Sequence, residues 1–250
     1  NLGIAYKEKE DLNNAIKFFK ITVEKDLNNI PAKINLAVAN SAIGNSKDCI
    51  KHFSDLLTNN ALSSLSDCCA LVISDYDKGV VSEDGAQLLI QAANSSGIPS
   101  IVDPKLTGLE KSRGATVVIF EKRGLSLLKR RMNADNENDA AIQLMTEYSW
   151  DGILVLGGID GVYLHHKDGD SIHMPCMAPA ADQQIGMHDA AAASLAAALG
   201  SGLSLFDAAL LASAACECVL SASTSEEFID RATLALWLDE LSWKMRISDR

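Results

Sequence analysis

The sequence predicts an α/β domain with a mostly parallel sheet covered by helices on both faces, behind a short all-α segment. Three observations carry this. From residue 66 onward, apolar strand-like runs alternate with helical patterns. The first 60 residues superpose on themselves after a shift of 34. Between the two, composition breaks: residues 1–60 hold ten Asn and the remaining 190 hold four. Charge breaks there too. Residues 1–65 carry eight Lys against seven acids, whereas residues 66–250 carry fourteen Lys plus Arg against twenty-six acids. These shifts place a boundary near residues 60–66, at the polar stretch TNNALSSLSD, with a helical module over 1–62 and the α/β module over 66–250.

In the first module the shift of 34 lays Leu2 on Leu36, Ala5 on Ala39, Ile16 on Ile50, Lys17 on Lys51 and Phe19 on Phe53. That is the period of a helix–turn–helix solenoid unit. The segment resembles tetratricopeptide repeats: Leu2, Gly3, Tyr6, Ala15 and Phe19 fall at the signature spacing, followed by Leu36, Ala37, Gly44 and Phe53. Asn40 and Cys49 stand where the second copy would carry Tyr and Ala. The resemblance implies a protein partner for this segment.

In the second module residues 69–74 (CALVIS) read as a buried strand. Residues 82–96 read as a helix capped by Ser82, with Leu88, Leu89 and Ala92 on its apolar face. Strands follow at 99–103 and 115–120, a helix at 137–148, and a strand at 152–156. Residues 161–166 and 171–175, joined by KDGD, read as a hairpin. Ala-rich helices occupy 189–199 and 204–220, and a last helix spans 225–246.

Composition sets bounds on function. Hydrophobic residues are 48% and charged residues 22%, which excludes a largely disordered chain. A net charge of −11 argues against nucleic acid or an anionic membrane as a general partner. No run approaches the length of a membrane helix. The opening NLGIAYKEKE has no initiator Met and no signal-peptide pattern, and reads as cut from a longer chain. Six Cys without a Cys-x-x-Cys pair suit a reducing, cytoplasmic compartment and give no zinc signature. Cys68, Cys69 and Cys216 read as small core residues. His165 and His166 face opposite sides of a strand, which disfavours a metal site there.

Ligands of parallel sheets bind beyond the carboxyl ends of the strands. Four segments occupy those places: Ser74–Gly79 with Asp75 and Lys78; Asp103-Pro104-Lys105; Gly157–Gly161; and Ile185-Gly186-Met187-His188-Asp189 ahead of a long helix. Two acids, two lysines and a helix N-terminus suit phosphate chemistry.

Those residues carry a second resemblance. ALVISDYDKGVVSE, GIPSIVDPK followed by RGATVV, and AAALGSGLSLFDAALLASAA after the Asp189 turn are similar to the C-terminal half of PfkB/ribokinase-family carbohydrate kinases. Within that family they lie nearest the heptose-7-phosphate kinase domains. The resemblance implies a ribokinase-like fold, here a partial domain, with ATP and Mg²⁺ as cofactors and a sugar phosphate as acceptor. It implies Asp189 as the general base and Gly186, Met187 and His188 as the anion hole for the transferring phosphoryl group. Gly161 and Ser213 fall on the nucleotide side. Asp75, Lys78, Gly79, Asp103 and Lys105 fall on the substrate and phosphate side.

Departures accompany these matches. His188 replaces a family glycine, and Gln183 and Ile185 replace an Asp and a Thr. The Asn-x-x-Glu that organises Mg²⁺ and phosphate falls on Glu121 and Gly124. Glu217 stands for another glycine, and Leu156 and Gly157 stand for a Thr-Arg pair. The family half that supplies most sugar contacts has helical repeats in its place. This leaves two expectations: a sugar-phosphate kinase, or a non-catalytic scaffold or degenerate nucleotide binder working through its repeats, possible as an oligomer.

Overall fold

The computed structural model describes residues 2–26, 29–178, 184–222 and 231–248, the last without side chains beyond residue 239. It divides into two compact units: residues 1–66 with 77–89, and residues 67–76 with 90–250.

The first unit opens with four helices, α1 (Leu2–Glu8), α2 (Leu12–Lys25), α3 (Ile30–Ala42) and α4 (Ser46–Ser64). Asp11 and Asn29 cap α2 and α3, accepting from the Asn14 and Ala32 amides. Their core is small and tight: Ala15, Phe19, Leu36 and Ala39 are buried together, and a Cβ added to Gly3 would lie 2.6 Å from the Phe19 ring. Asn40 is buried and donates its amide to the Leu36 carbonyl at 2.9 Å, a polar substitute for the expected aromatic. Phe53 is not in this core; it is 43% exposed.

The second unit holds a six-stranded sheet in the order β1 (Leu71–Ser74), β2 (Ser100–Asp103), β3 (Val117–Glu121), β4 (Gly152–Leu156), β5 (Val162–His166), β6 (Ser171–Met174). The first four strands are parallel and the last two pair antiparallel. The expected strands all appear, with ends shifted by one or two residues. Helix α5 (Glu83–Ser95) precedes β2 and is capped by the Ser82 hydroxyl, which accepts from the Gly85 amide at 3.1 Å. Its buried face is Ala86, Leu89, Ile90 and Ala93; Leu88, expected inside, is 52% exposed. The stripe turns because Ile90 and Ala93 continue it better than Leu88 and Ala92.

Between β3 and β4 run α6 (Lys122–Met132) and α7 (Glu137–Tyr148). The sequence reading gave α7 and missed α6. Gly124 and five basic residues masked its pattern, although Leu125 and Leu128 at helical spacing are its buried face. Asn133 ends it in the left-handed conformation. Helices α8 (Met187–Gly200) and α9 (Leu205–Ser221) follow the hairpin, and α10 (Arg231–Ser248) closes the chain. The expected start of that last helix, 225–230, lies outside the described residues.

Strand alternation divides the core. Ile101, Val117, Ile119, Leu154, Leu156, Val162 and Leu164 meet α8 and α9. Phe120 points the other way, to Trp150 at 5.9 Å between ring centres. Trp150 is 1% exposed and donates its indole N–H to the Ser112 carbonyl at 2.8 Å. Cys216 is buried as expected, but Cys68 and Cys69 are exposed, because β1 begins at Leu71 rather than 69. Burial pushes the Cys216 and Cys218 thiols up to about 12, which leaves both unreactive at neutral pH. No helix among the described residues is long and apolar enough to cross a membrane. Trp150→Ala removes both packing and a satisfied indole; the expected loss is about 3–5 kcal/mol of unfolding free energy, read by chemical denaturation.

Candidate functional site

The carboxyl ends of β1, β2 and β3 and the start of α8 build the site. One residue beyond the ladder, the Asp75 amide donates to the Asp103 carbonyl at 3.0 Å. Asp75 is 4% exposed and its side chain is ion-paired with Lys111 at 2.6 Å. A buried carboxylate needs such a partner, and Lys111 was not visible from the sequence pattern. Lys105 stands 5.4 Å above the Tyr76 ring centre.

Helix α8 starts at Gly186, in the left-handed region (φ 88°, ψ −1°), with no side-chain cap. Such a φ favours glycine, and an uncapped first turn leaves backbone N–H groups directed outward. Asp189 sits in that first turn and is exposed. Met187 is buried beneath it in the α8–α9 core. His188 departs from what a glycine would do there: its ring reaches across to the strand ends. Nδ1 lies 3.0 Å from Asp103 Oδ2, and Nε2 lies 3.7 Å from Glu121 Oε1.

A cleft of about 290 Å³ opens at this point, lined by Asp103, Lys105, Leu106, Glu121, Arg123 and His188 among others. Arg123 is a lining residue that the sequence reading missed with the rest of α6. Burial pulls the His188 pKa down, but the hydrogen bond and charge of Asp103 and the charge of Glu121 outweigh it, so the pKa ends above its ordinary 6.5.

The cleft therefore brings Asp103, Lys105 and His188 together, with the Asp75 amide bonded to the Asp103 carbonyl; Gly186, Met187 and Asp189 adjoin His188 in sequence and do not line the cleft. Lys78 and Gly79 belong to the helical unit, where a Cβ on Gly79 would approach Ile50 at 3.1 Å. Gly161 lies in the turn after β4, in a conformation open only to glycine (φ 86°, ψ −161°), where a Cβ would collide with the Met174 carbonyl and sit 2.7 Å from the Cys176 nitrogen. Beside it Asp160 pairs with Lys122 at 3.0 Å. Gln184 comes within 3.7 Å of a Cβ placed on Gly158, joining this turn to the approach to α8. Ser213 is buried in α9 and does not line the cleft. Gln183 lies outside the described residues.

Glu217 is 3% exposed and accepts the Met177 amide at 2.7 Å and the Cys176 thiol at 3.6 Å, so it ties the segment after β6 to α9. His165 shares Nδ1 between Asn138 and Ser171, and burial lowers its pKa, as befits a core histidine. Among the described residues no group of three His, Cys, Asp or Glu is arranged to hold a metal ion.

The comparisons agree with this architecture. A family model described as pfkB family carbohydrate kinase matches residues 25–230, and the chain belongs to that family. The match begins within the helical segment, upstream of the composition break. Bifunctional protein HldE of Paramagnetospirillum magneticum is 35% identical over 175 residues, covering 69% of this chain and 36% of that protein. HldE of Escherichia fergusonii is 33% identical over 158 residues, covering 63% of this chain and 32% of that one. The chain thus spans about a third of the length of the curated relatives it matches. Phosphofructokinase-2 of Escherichia coli in complex with potassium has a TM-score of 0.61 at 18% identity, covering 74% of this chain and 62% of that chain. Arabidopsis thaliana ribokinase complexed with ribose and ATP has a TM-score of 0.58 at 17% identity, covering 72% of this chain and 58% of that chain. At these identities the two structures establish a ribokinase-like fold.

Two outcomes follow from the geometry. Because folding raises the His188 pKa above 6.5, its contribution to stability is complete below pH 6.5 and disappears as pH rises through the folded value. His52 and His165 have lowered values and act in the opposite direction. The informative quantity is therefore the wild-type minus His188→Gln difference in unfolding free energy, which should shrink on the alkaline side of 6.5. Gly161→Ala should cost at least about 1–3 kcal/mol in the same measurement.

Proposed function

We propose that the α/β unit transfers a phosphoryl group from ATP to a hydroxyl of a sugar phosphate, of the heptose 7-phosphate type. The observation that carries this reading is Asp189, exposed in the uncapped first turn of α8 and next in sequence to His188, which lines a cleft with Lys105 and Arg123. Asp189 accepts the proton of the acceptor hydroxyl. The freed oxygen forms its bond to the γ-phosphorus, the bond from that phosphorus to the bridging oxygen breaks, and ADP leaves with the electron pair. Amides at the start of α8 face the phosphoryl oxygens, and Lys105 offsets their charge. Gly161 and Ser213 serve the nucleotide side, and Asp75 and Asp103 the acceptor side.

Kinases of this family use ATP, typically with Mg²⁺. Gly124 contributes no donor where the family carries an acid, and no acidic cluster replaces it among the described residues. The residues present do not fit a magnesium site built by the protein, and no step above runs through the ion.

A second reading has its own observation. His188 places a ring at the α8 terminus, where the family relies on glycine backbone, and this suits a nucleotide binder without turnover. In either reading the helical unit is a tetratricopeptide-like pair that takes a protein partner. Its support is the common step of 34 residues: α1 ends at Glu8 and α3 at Ala42, and α2 begins at Leu12 and α4 at Ser46.

Mg-ATP at about a hundred times its dissociation constant should raise the unfolding free energy by roughly 2.7 kcal/mol, seen as an upward thermal shift. The absence of a shift at millimolar Mg-ATP overturns both nucleotide readings. Asp189→Ala should lower phosphoryl transfer about 10²–10⁴-fold with the ATP-induced shift retained; retained transfer would remove Asp189 from the mechanism.

A further inference from the structure

Asp103 ends β2 and Glu121 ends β3, neighbouring parallel strands, and both residues line the cleft. Two acids at one mouth repel each other and any phosphate that approaches. They are also the kind of donor that Mg²⁺ takes together with substrate phosphates. The pair therefore calls for a cation, and the His188 ring stands between them. Nδ1 lies 3.0 Å from Asp103 Oδ2 and Nε2 lies 3.7 Å from Glu121 Oε1. A neutral imidazole has one N–H and would turn a lone pair toward one of those anions, whereas the imidazolium presents an N–H to each. Nε2 is buried and has no hydrogen-bond partner, so its charge acts within the wall and not on a ligand.

We propose that His188 is a built-in substitute for a divalent metal ion: its ring fills the place between Asp103 and Glu121 that Mg²⁺ would take, and the cleft receives the phosphates of ATP without metal. The acid missing at Gly124 then has its counterpart in the same cleft. The identity of the ligand rests on the nucleotide readings above; the exclusion of a metal ion from between the two acids does not.

The charged groups of the lining are Asp103, Lys105, Glu121, Arg123 and His188. With the ring charged, three cations meet two acids; without it, two meet two. Burial opposes the charged ring, as does Lys105, and Asp103 and Glu121 outweigh them. The ring thus leaves the cleft cationic before any metal arrives, and a phosphate chain needs no ion to shield it from the two acids.

The test is the coupling between metal and nucleotide in the whole chain at about pH 6, where the ring is charged. The thermal shift given by ATP in EDTA should match the shift given by ATP with Mg²⁺, the two apparent dissociation constants agreeing within about twofold. In His188→Ala the acids lose their cation, and Mg²⁺ should then strengthen ATP binding about tenfold or more. A wild-type shift that appears only with Mg²⁺ overturns the proposal, and so does His188→Ala without this coupling. Mn²⁺ without nucleotide, followed by electron paramagnetic resonance, separates the proposal from the kinase reading. The wild type should leave Mn²⁺ free, His188→Ala should bind it, and adding Glu121→Gln to that variant should release it again. Mn²⁺ uptake by the wild type that Glu121→Gln abolishes overturns the proposal. Should His188→Ala not fold, the wild-type comparisons, with and without Mg²⁺ and with and without Glu121→Gln, decide the matter. A wild type that ignores ATP in both buffers discards the nucleotide readings, and the Mn²⁺ measurements still show whether the ring holds the place of a metal.

Discussion

The geometry of the site depends on how closely α8 approaches the sheet. Its inner face is Ala191, Ala192, Leu195 and Ala198, and α9 answers with Ala208, Ala209 and Ala212. Small side chains let the two helices and the strands beneath them come near enough for Ile101, Leu154 and Leu164 to fill the remaining space. At the far end of α8, a Cβ on Gly200 would lie 2.9 Å from the Cys69 carbonyl, so this end has no room to shift. With one end and one face fixed, the other end arrives at the strand termini. That is why the His188 ring finds Asp103, 85 residues away in sequence.

Much of the α/β unit was legible because its elements announce themselves locally. Buried strands such as GILVL and VVIF are short apolar runs that cannot be amphipathic helices, and the KDGD turn declares its hairpin. Ser82 signals a helix start, and the Ser82 hydroxyl takes the Gly85 amide as a cap should. Failures came where local signals conflict with tertiary ones. Helix α6 carries Gly124 and five cations on a few turns, and its apolar face is reduced to Leu125 and Leu128, which are buried. Cys68 and Cys69 extend an apolar run yet remain exposed, because hydrophobicity does not say where pairing with the next strand begins.

The site was legible as a set of positions and illegible as a set of partnerships. Strand termini are fixed by topology, so Asp103 and Lys105, which line the cleft, were identifiable as candidates. Which charge neutralises which was not: Lys111 pairs with Asp75 across 36 residues, and Glu217 captures the Met177 amide across 40. Long-range ion pairs leave no period in the sequence. The same holds for His188, where the sequence shows a glycine lost and the structure shows a ring placed between two acids.

The strand order carries a consequence for how the unit is made. Among the described residues each strand pairs with those next to it in sequence, in the order β1 through β6. Among the described strands none waits for a partner distant in sequence, so this part of the sheet can be extended one strand at a time as it leaves the ribosome. The two Ala-rich helices follow the last of these strands, and the face they cover stays bare until then. A growing chain of this kind exposes Ile101, Val117, Ile119, Leu154 and Leu164 to the cell until α8 and α9 dock, which makes the interval between β6 and α9 the period in which chaperone protection matters most.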